Sequence, residues 1–125
     1  MKNRPFRERL GFALEGIRTG WQRESSFRTQ SMLASVAILA LIILRPAPIW
    51  WALVALTCSL VLALELLNSA MEAVIDRLHP EIHPSIKIAK DMLAGAVLVT
   101  SFAALAVGVA MVLDAGPALL KEMGL

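Results

Sequence analysis

The sequence predicts an all-α integral membrane protein, with an N-terminal amphipathic surface helix followed by three transmembrane helices. Three observations carry that class. Apolar runs recur at residues 32–44, 49–64 and 92–113, each bounded by prolines or charged residues, as membrane-spanning helices require. The chain is 58% hydrophobic with a mean hydropathy of +0.69, well above a soluble globular domain. Lys2, Arg4, Arg7, Arg9, Arg18, Arg23 and Arg28 all precede the first apolar run. With so apolar a chain, that basic cluster points to anionic lipid headgroups rather than nucleic acid.

The 125 residues are enough for one domain. Cys58 is the single cysteine, which excludes an internal disulfide and a cysteine-based metal site. The first apolar run begins too late for a secretory leader, and no small-residue cleavage pattern follows it.

The elements follow in order. A surface helix is expected over about residues 5–27, where Phe6, Leu10, Ala13, Leu14, Ile17 and Trp21 recur at three and four and form one apolar face. Pro5 suits its first turn. Gly11, Gly16 and Gly20 weaken it as an isolated helix. The second helix is expected over about 28–45. Its apolar part, 32–44, is only about 20 Å long against a hydrocarbon core of about 30 Å, so it spans by borrowing residues 27–31 or by packing on other helices.

Arg45-Pro46-Ala47-Pro48 then breaks the chain into a tight turn. Trp50 and Trp51 stand where an interfacial aromatic belt belongs. The third helix is expected over about 48–76, and a loop punctuated by Pro80 and Pro84 follows. The fourth is expected over about 86–113, with Ser85 as N-cap and Asp114-Ala115-Gly116-Pro117 as its stop. With three spans, the basic N-terminus and the loop holding Arg77, Lys87 and Lys90 share one side, which the positive-inside rule makes cytoplasmic.

The chemistry concentrates in residues 65–76, ELLNSAMEAVID. Glu65, Asn68, Glu72 and Asp76 are spaced i, i+3, i+7 and i+11, which places them on one helix stripe about 80° wide. This stripe directly follows an apolar run. Ionisable groups at that depth mark function by default, and stacked like charges call for a cation. Glu65 sits where apolar helix gives way to polar helix; partial desolvation there suits a general base, while the bland alternative is a carboxylate snorkelling to water. Asn68 can hold Glu65 or a substrate, or make an interhelical hydrogen bond.

The same stretch, Glu-x-x-Asn-Ser-Ala-x-Glu-x-x-x-Asp, resembles the signature of the prokaryotic diacylglycerol kinase family, small bacterial membrane enzymes that phosphorylate diacylglycerol or undecaprenol. Trp21-Gln22-Arg23-Glu24 with Phe27-Arg28 upstream, and Ala89-Lys90-Asp91 with Gly95-Ala96-Val97 downstream, extend the resemblance over nearly the whole chain. It implies Glu65 as the base that takes the lipid hydroxyl proton, with Asn68 beside it. Glu24 and Glu72 are implied as magnesium ligands. Beside them, Lys90 is a compact charge suited to the phosphates of ATP, Asp91 suits the nucleotide or an arginine, and Arg28 suits phosphate or a lipid headgroup. Asp76, which suits metal or a pair with Arg77 or Lys90, and Arg18, which suits phosphate or headgroup, are supporting residues. A homotrimer, with sites formed between neighbouring chains, is also implied.

No Gly-rich phosphate loop and no protein-kinase pattern occurs, so ATP use rests on the resemblance. His79 and His83 have metal-like spacing, but Pro80 lies between them and they read as loop residues. Two other classes compete. An ion or proton carrier needs polar residues continuing across the membrane, yet the run 49–64 offers only Thr57, Cys58 and Ser59. A noncatalytic adaptor needs no carboxylate stripe. As to the lipid, the Lys90-Asp91-Met92 run and the loop before it look nearer to the diacylglycerol kinases, while Ala94-Gly95-Ala96-Val97-Leu98 also occurs in undecaprenol kinases.

Overall fold

The computed structural model describes residues 2–125. They form four helices: α1 Phe6–Arg23, α2 Ser25–Leu44, α3 Pro48–Leu78 and α4 Pro84–Glu122. The last three are each long and apolar enough to cross a membrane. The chain is therefore all-helical with three candidate spans, preceded by a helix that exposes Phe6, Leu10, Leu14, Ile17 and Trp21 along one apolar face.

The break between α1 and α2 falls earlier than the expected end near residue 27. Glu24 leaves helical geometry, at φ −109° and ψ 109°, and Phe27 joins α2 as a buried plug, 5% exposed. The Arg28 guanidinium closes the corner, donating to the carbonyls of Trp21 at 2.8 Å and Gln22 at 3.2 Å, which are among the free carbonyls at the end of α1. This division resolves the short first span. With the polar turn included, α2 has 20 residues, about 30 Å of helix, which matches the hydrocarbon core.

Arg45 ends α2 in the left-handed region, at φ 48° and ψ 54°, a helix stop that a non-glycine residue adopts only where the turn demands it. Pro48 opens α3 at a position where its missing N–H costs nothing. The N-cap of α4 is His83 rather than Ser85. Its Nδ1 accepts from the Ser85 backbone N–H at 3.1 Å, so this imidazole nitrogen is engaged in folding.

The expected stop at residues 114–117 is also corrected. Helix α4 runs through Pro117 to Glu122, although an internal proline costs about 3 kcal/mol. Two contacts to the α2–α3 turn hold the extension. Trp50 Nε1 donates to Asp114 Oδ2 at 2.9 Å, and Arg45 Nη2 donates to Glu122 Oε2 at 2.6 Å. The core lies near that end, where Leu41, Val54 and Met111 bury against each other.

Hydroxyls inside the apolar helices mostly close on their own backbone. Ser35 donates to Ser31 O, Thr57 to Leu53 O, Ser59 to Ala55 O and Thr100 to Ala96 O. Such bonds satisfy polar groups in hydrocarbon.

Candidate active site

The site is built where α1, α2 and α3 meet. Gly20 is buried on α1, and a Cβ placed on it would lie 2.6 Å from Leu66 Cδ2 and 3.6 Å from the Phe27 ring. Only glycine permits this approach of α1 to α3 without a shift. Glu24 follows one turn later, at the corner, and Leu66 is the chain neighbour of Glu65. One close contact thus brings the surface helix's carboxylate to the stripe on α3.

Glu65 is the buried charged residue of the structure, 5% exposed, among the described residues. Glu24 and Glu72 lie within electrostatic range of its carboxylate. Asn68, one turn along α3, has a buried Oδ1 with no hydrogen-bond partner. An orphan acceptor beside carboxylates is costly to leave unmatched and suits a donor supplied from outside.

The outer part of the site is already paired. Lys90 Nζ donates to Asp76 Oδ1 at 2.6 Å, and Lys87 Nζ donates to Asp91 Oδ2 at 2.6 Å. Glu72 lies within electrostatic range of Lys90. Asp76, Lys90 and Asp91 also border a pocket of about 270 Å³ under the α3–α4 loop, with His79, Glu81 and His83. A larger cavity of about 650 Å³ opens between α2, α3 and α4. Its walls are mainly apolar and suit hydrocarbon, with Gln30, Thr57 and Ser101 as the polar groups among them.

Of the residues singled out from sequence, Glu65, Asn68 and Glu72 follow one another along α3 with Glu24 within electrostatic range of Glu65, and Asp76, Lys90 and Asp91 border the pocket under the α3–α4 loop. Arg28 is turned to the carbonyls of α1, and Arg18 is exposed on α1. Among the described residues, no three His, Cys, Asp or Glu side chains group closely enough to hold a metal by themselves. Glu24 and Glu72 are ligands of the type magnesium takes, one or two carboxylates with phosphate oxygens and water completing the shell. Sequence reasoning missed Gln30. A single polar residue at the head of an apolar helix carries no periodic signal.

Three helices long and apolar enough to cross a membrane, one of them carrying a row of charged residues, define an integral membrane protein. The chain belongs to the prokaryotic diacylglycerol kinase family, whose profile matches residues 11–112. A diacylglycerol kinase of Helicobacter pylori is 36% identical over 90 residues, covering 72% of this chain and 70% of the relative. That of Escherichia coli K12 is 36% identical over 89 residues, covering 71% and 73%. That of a Synechocystis strain is 38% identical over 113 residues, covering 90% and 63%.

Proposed function

We propose that this protein is an ATP-dependent diacylglycerol kinase of the bacterial plasma membrane, working at the cytoplasmic headgroup layer. The observation that carries the reading is the buried Glu65 carboxylate, with Glu24 and Glu72 within its electrostatic range, in a chain of this family. Glu65 takes the proton of the lipid hydroxyl. The freed oxygen forms a bond to the γ-phosphorus of ATP, the bond from that phosphorus to the bridging oxygen breaks, and ADP leaves. The product is phosphatidic acid.

Phosphoryl transfer depends mainly on positioning and charge stabilisation. Glu24 and Glu72 would hold magnesium, which when bound neutralises the polyphosphate. Asn68, one turn from Glu65, would hold the lipid through its amide N–H donating to the hydroxyl oxygen, which leaves the single hydroxyl proton to Glu65. Lys90 supplies positive charge to the phosphates, Asp91 and Arg28 contact the nucleotide, and Asp76 and Arg18 support the site. The N-terminus and the α3–α4 loop are cytoplasmic, in line with the distribution of basic residues.

A homotrimer with sites at chain boundaries completes the reading. Two facts support it. Leu33, Leu56, Leu98 and Phe102 remain exposed on the three apolar helices. Gly95 and Gly108 of α4 meet nothing within 4 Å inside the chain, so that close-approach surface is free for another helix.

Undecaprenol is the second lipid to test, because residues 94–98 also fit kinases of that alcohol. Diacylglycerol is favoured by the Lys90-Asp91-Met92 run and by relatives named diacylglycerol kinase. Purified protein assayed with both lipids in parallel decides between them. Phosphatidic acid as the dominant product supports the reading, and phosphorylation of undecaprenol alone replaces it.

A further inference from the structure

We propose that Gln30 and Ser101 form a positioning clamp for Glu65, a tie between α2 and α4 that aims the carboxylate of α3. The inference rests on Glu65 being the base, and goes beyond that reading by naming what holds it.

Gln30 stands at a junction of three helices. It lies one turn after Phe27, on the α2 face that packs into the Gly20–Leu66 contact. Its Nε2 donates to Ser101 Oγ of α4 at 3.3 Å, in a half-buried setting. Gln30, Ser101 and Val61 line one cavity, which sets the Gln30 amide near the turn of α3 that carries Glu65; the hydrogen bond that the structure closes is the one to Ser101. Glu65 in turn lies one turn after the buried Val61, so its own face is directed inward.

Chemistry fixes the orientation of the amide. An ionised carboxylate only accepts, so a Gln30 N–H must face Glu65. The Ser101 hydroxyl can accept or donate, so it adapts to whichever amide atom remains. The amide has two N–H bonds, one for each neighbour.

Ser101 is also unlike the other hydroxyls of the apolar helices. Ser35, Thr57, Ser59 and Thr100 close on carbonyls of their own helix. Ser101 takes its bond from another helix, 71 residues away in sequence. A half-buried glutamine is costly in an apolar surrounding unless bonded. Here the bond ties α2 to α4 beside the helix that holds the buried Glu65. Fixing a base by a hydrogen-bonded neighbour improves geometry for reaction without touching the substrate.

The test uses the full-length protein in detergent micelles with a short-chain diacylglycerol and magnesium-ATP. Gln30→Met keeps the length of the side chain and removes its polar atoms. It is expected to lower kcat by about 10- to 100-fold while KM for lipid and for ATP stays within about two-fold, since only transition-state geometry is lost. Ser101→Ala is expected to lower kcat in the same sense but less, and Ser101→Thr to restore it. The double variant Gln30→Met with Ser101→Ala is expected to be no slower than Gln30→Met alone, as for residues acting as one unit. Should Gln30→Met fail to insert, the Ser101→Ala and Ser101→Thr pair carries the test.

An inactive Glu65→Gln protein together with near-normal Gln30→Met and Ser101→Ala proteins overturns the clamp and leaves the base in place. A loss confined to lipid KM overturns it too, because that marks direct lipid contact. An active Glu65→Gln protein removes the base reading itself.

Discussion

Replacing Gly20 by valine tests how the surface helix delivers Glu24. A Cβ at this position would lie 2.6 Å from Leu66 Cδ2, whereas carbon atoms rest at about 3.5–4.0 Å. The deficit is about 1 Å. For alanine, the Leu66 methyl is the flexible end of a side chain and can yield, and the better helix propensity of alanine offsets about 1 kcal/mol. Valine adds two further methyls beside the Phe27 ring, which would already stand 3.6 Å from the first carbon. That overpacking costs about 1–3 kcal/mol, and the side chains have no room to absorb it. Helix α1 must lift, and Glu24 lifts with it.

A displacement of about 1 Å at a catalytic constellation lowers turnover by roughly 100-fold. The core of Leu41, Val54 and Met111 lies elsewhere, so the protein should still fold and insert. The assay is diacylglycerol phosphorylation across a magnesium titration, with helix content followed by circular dichroism. Gly20→Val is expected to be slow and to need more magnesium. Gly16→Val, at a position with nothing within 4 Å, is expected to stay within about two-fold of the parent, as an exposed substitution does. Full turnover of Gly20→Val at the parent's magnesium requirement would refute the role given to this contact.

Glu24→Gln and Glu72→Gln are each expected to raise the magnesium requirement without mainly changing lipid affinity; an unchanged titration in both removes them from the metal site. Mixing inactive Glu24→Gln and Lys90→Leu proteins before reassembly is expected to restore part of the activity, if neighbouring chains share sites. No recovery from well-formed mixed assemblies, or full activity of a monomer in mild detergent, contradicts shared sites. Arg45→Ala, which removes the exposed pair with Glu122, is expected to lower stability by no more than about 1 kcal/mol and to leave turnover unchanged. A large loss of turnover in that variant would tie the far end of the bundle to catalysis.

Much of this arrangement is legible in the sequence because it is periodic. The stripe of Glu65, Asn68, Glu72 and Asp76 follows from helical spacing alone, and the spans follow from apolar runs. What escapes the sequence depends on contacts between helices. Pro117 reads as a stop, but Asp114 and Glu122 are held by Trp50 and Arg45, and tertiary ties override the local signal. Arg28 reads as a phosphate ligand, while the fold first gives it the free carbonyls of α1. Ser85 reads as a cap, and His83, two residues earlier, takes that place with a ring nitrogen. Gln30 and Ser101 are unremarkable as letters and meaningful only where α2 and α4 meet.

The most direct measurement is turnover of Glu65→Gln, with transfer of the ATP γ-phosphate to diacylglycerol followed in protein shown to be folded and membrane-inserted. The substitution preserves shape and removes only the ability to accept a proton as a carboxylate. Loss of a general base is expected to slow the reaction by about 10²- to 10⁴-fold, with magnesium-ATP still bound. Near-normal phosphatidic acid formation by well-folded Glu65→Gln protein would contradict the central claim that this buried carboxylate activates the lipid hydroxyl.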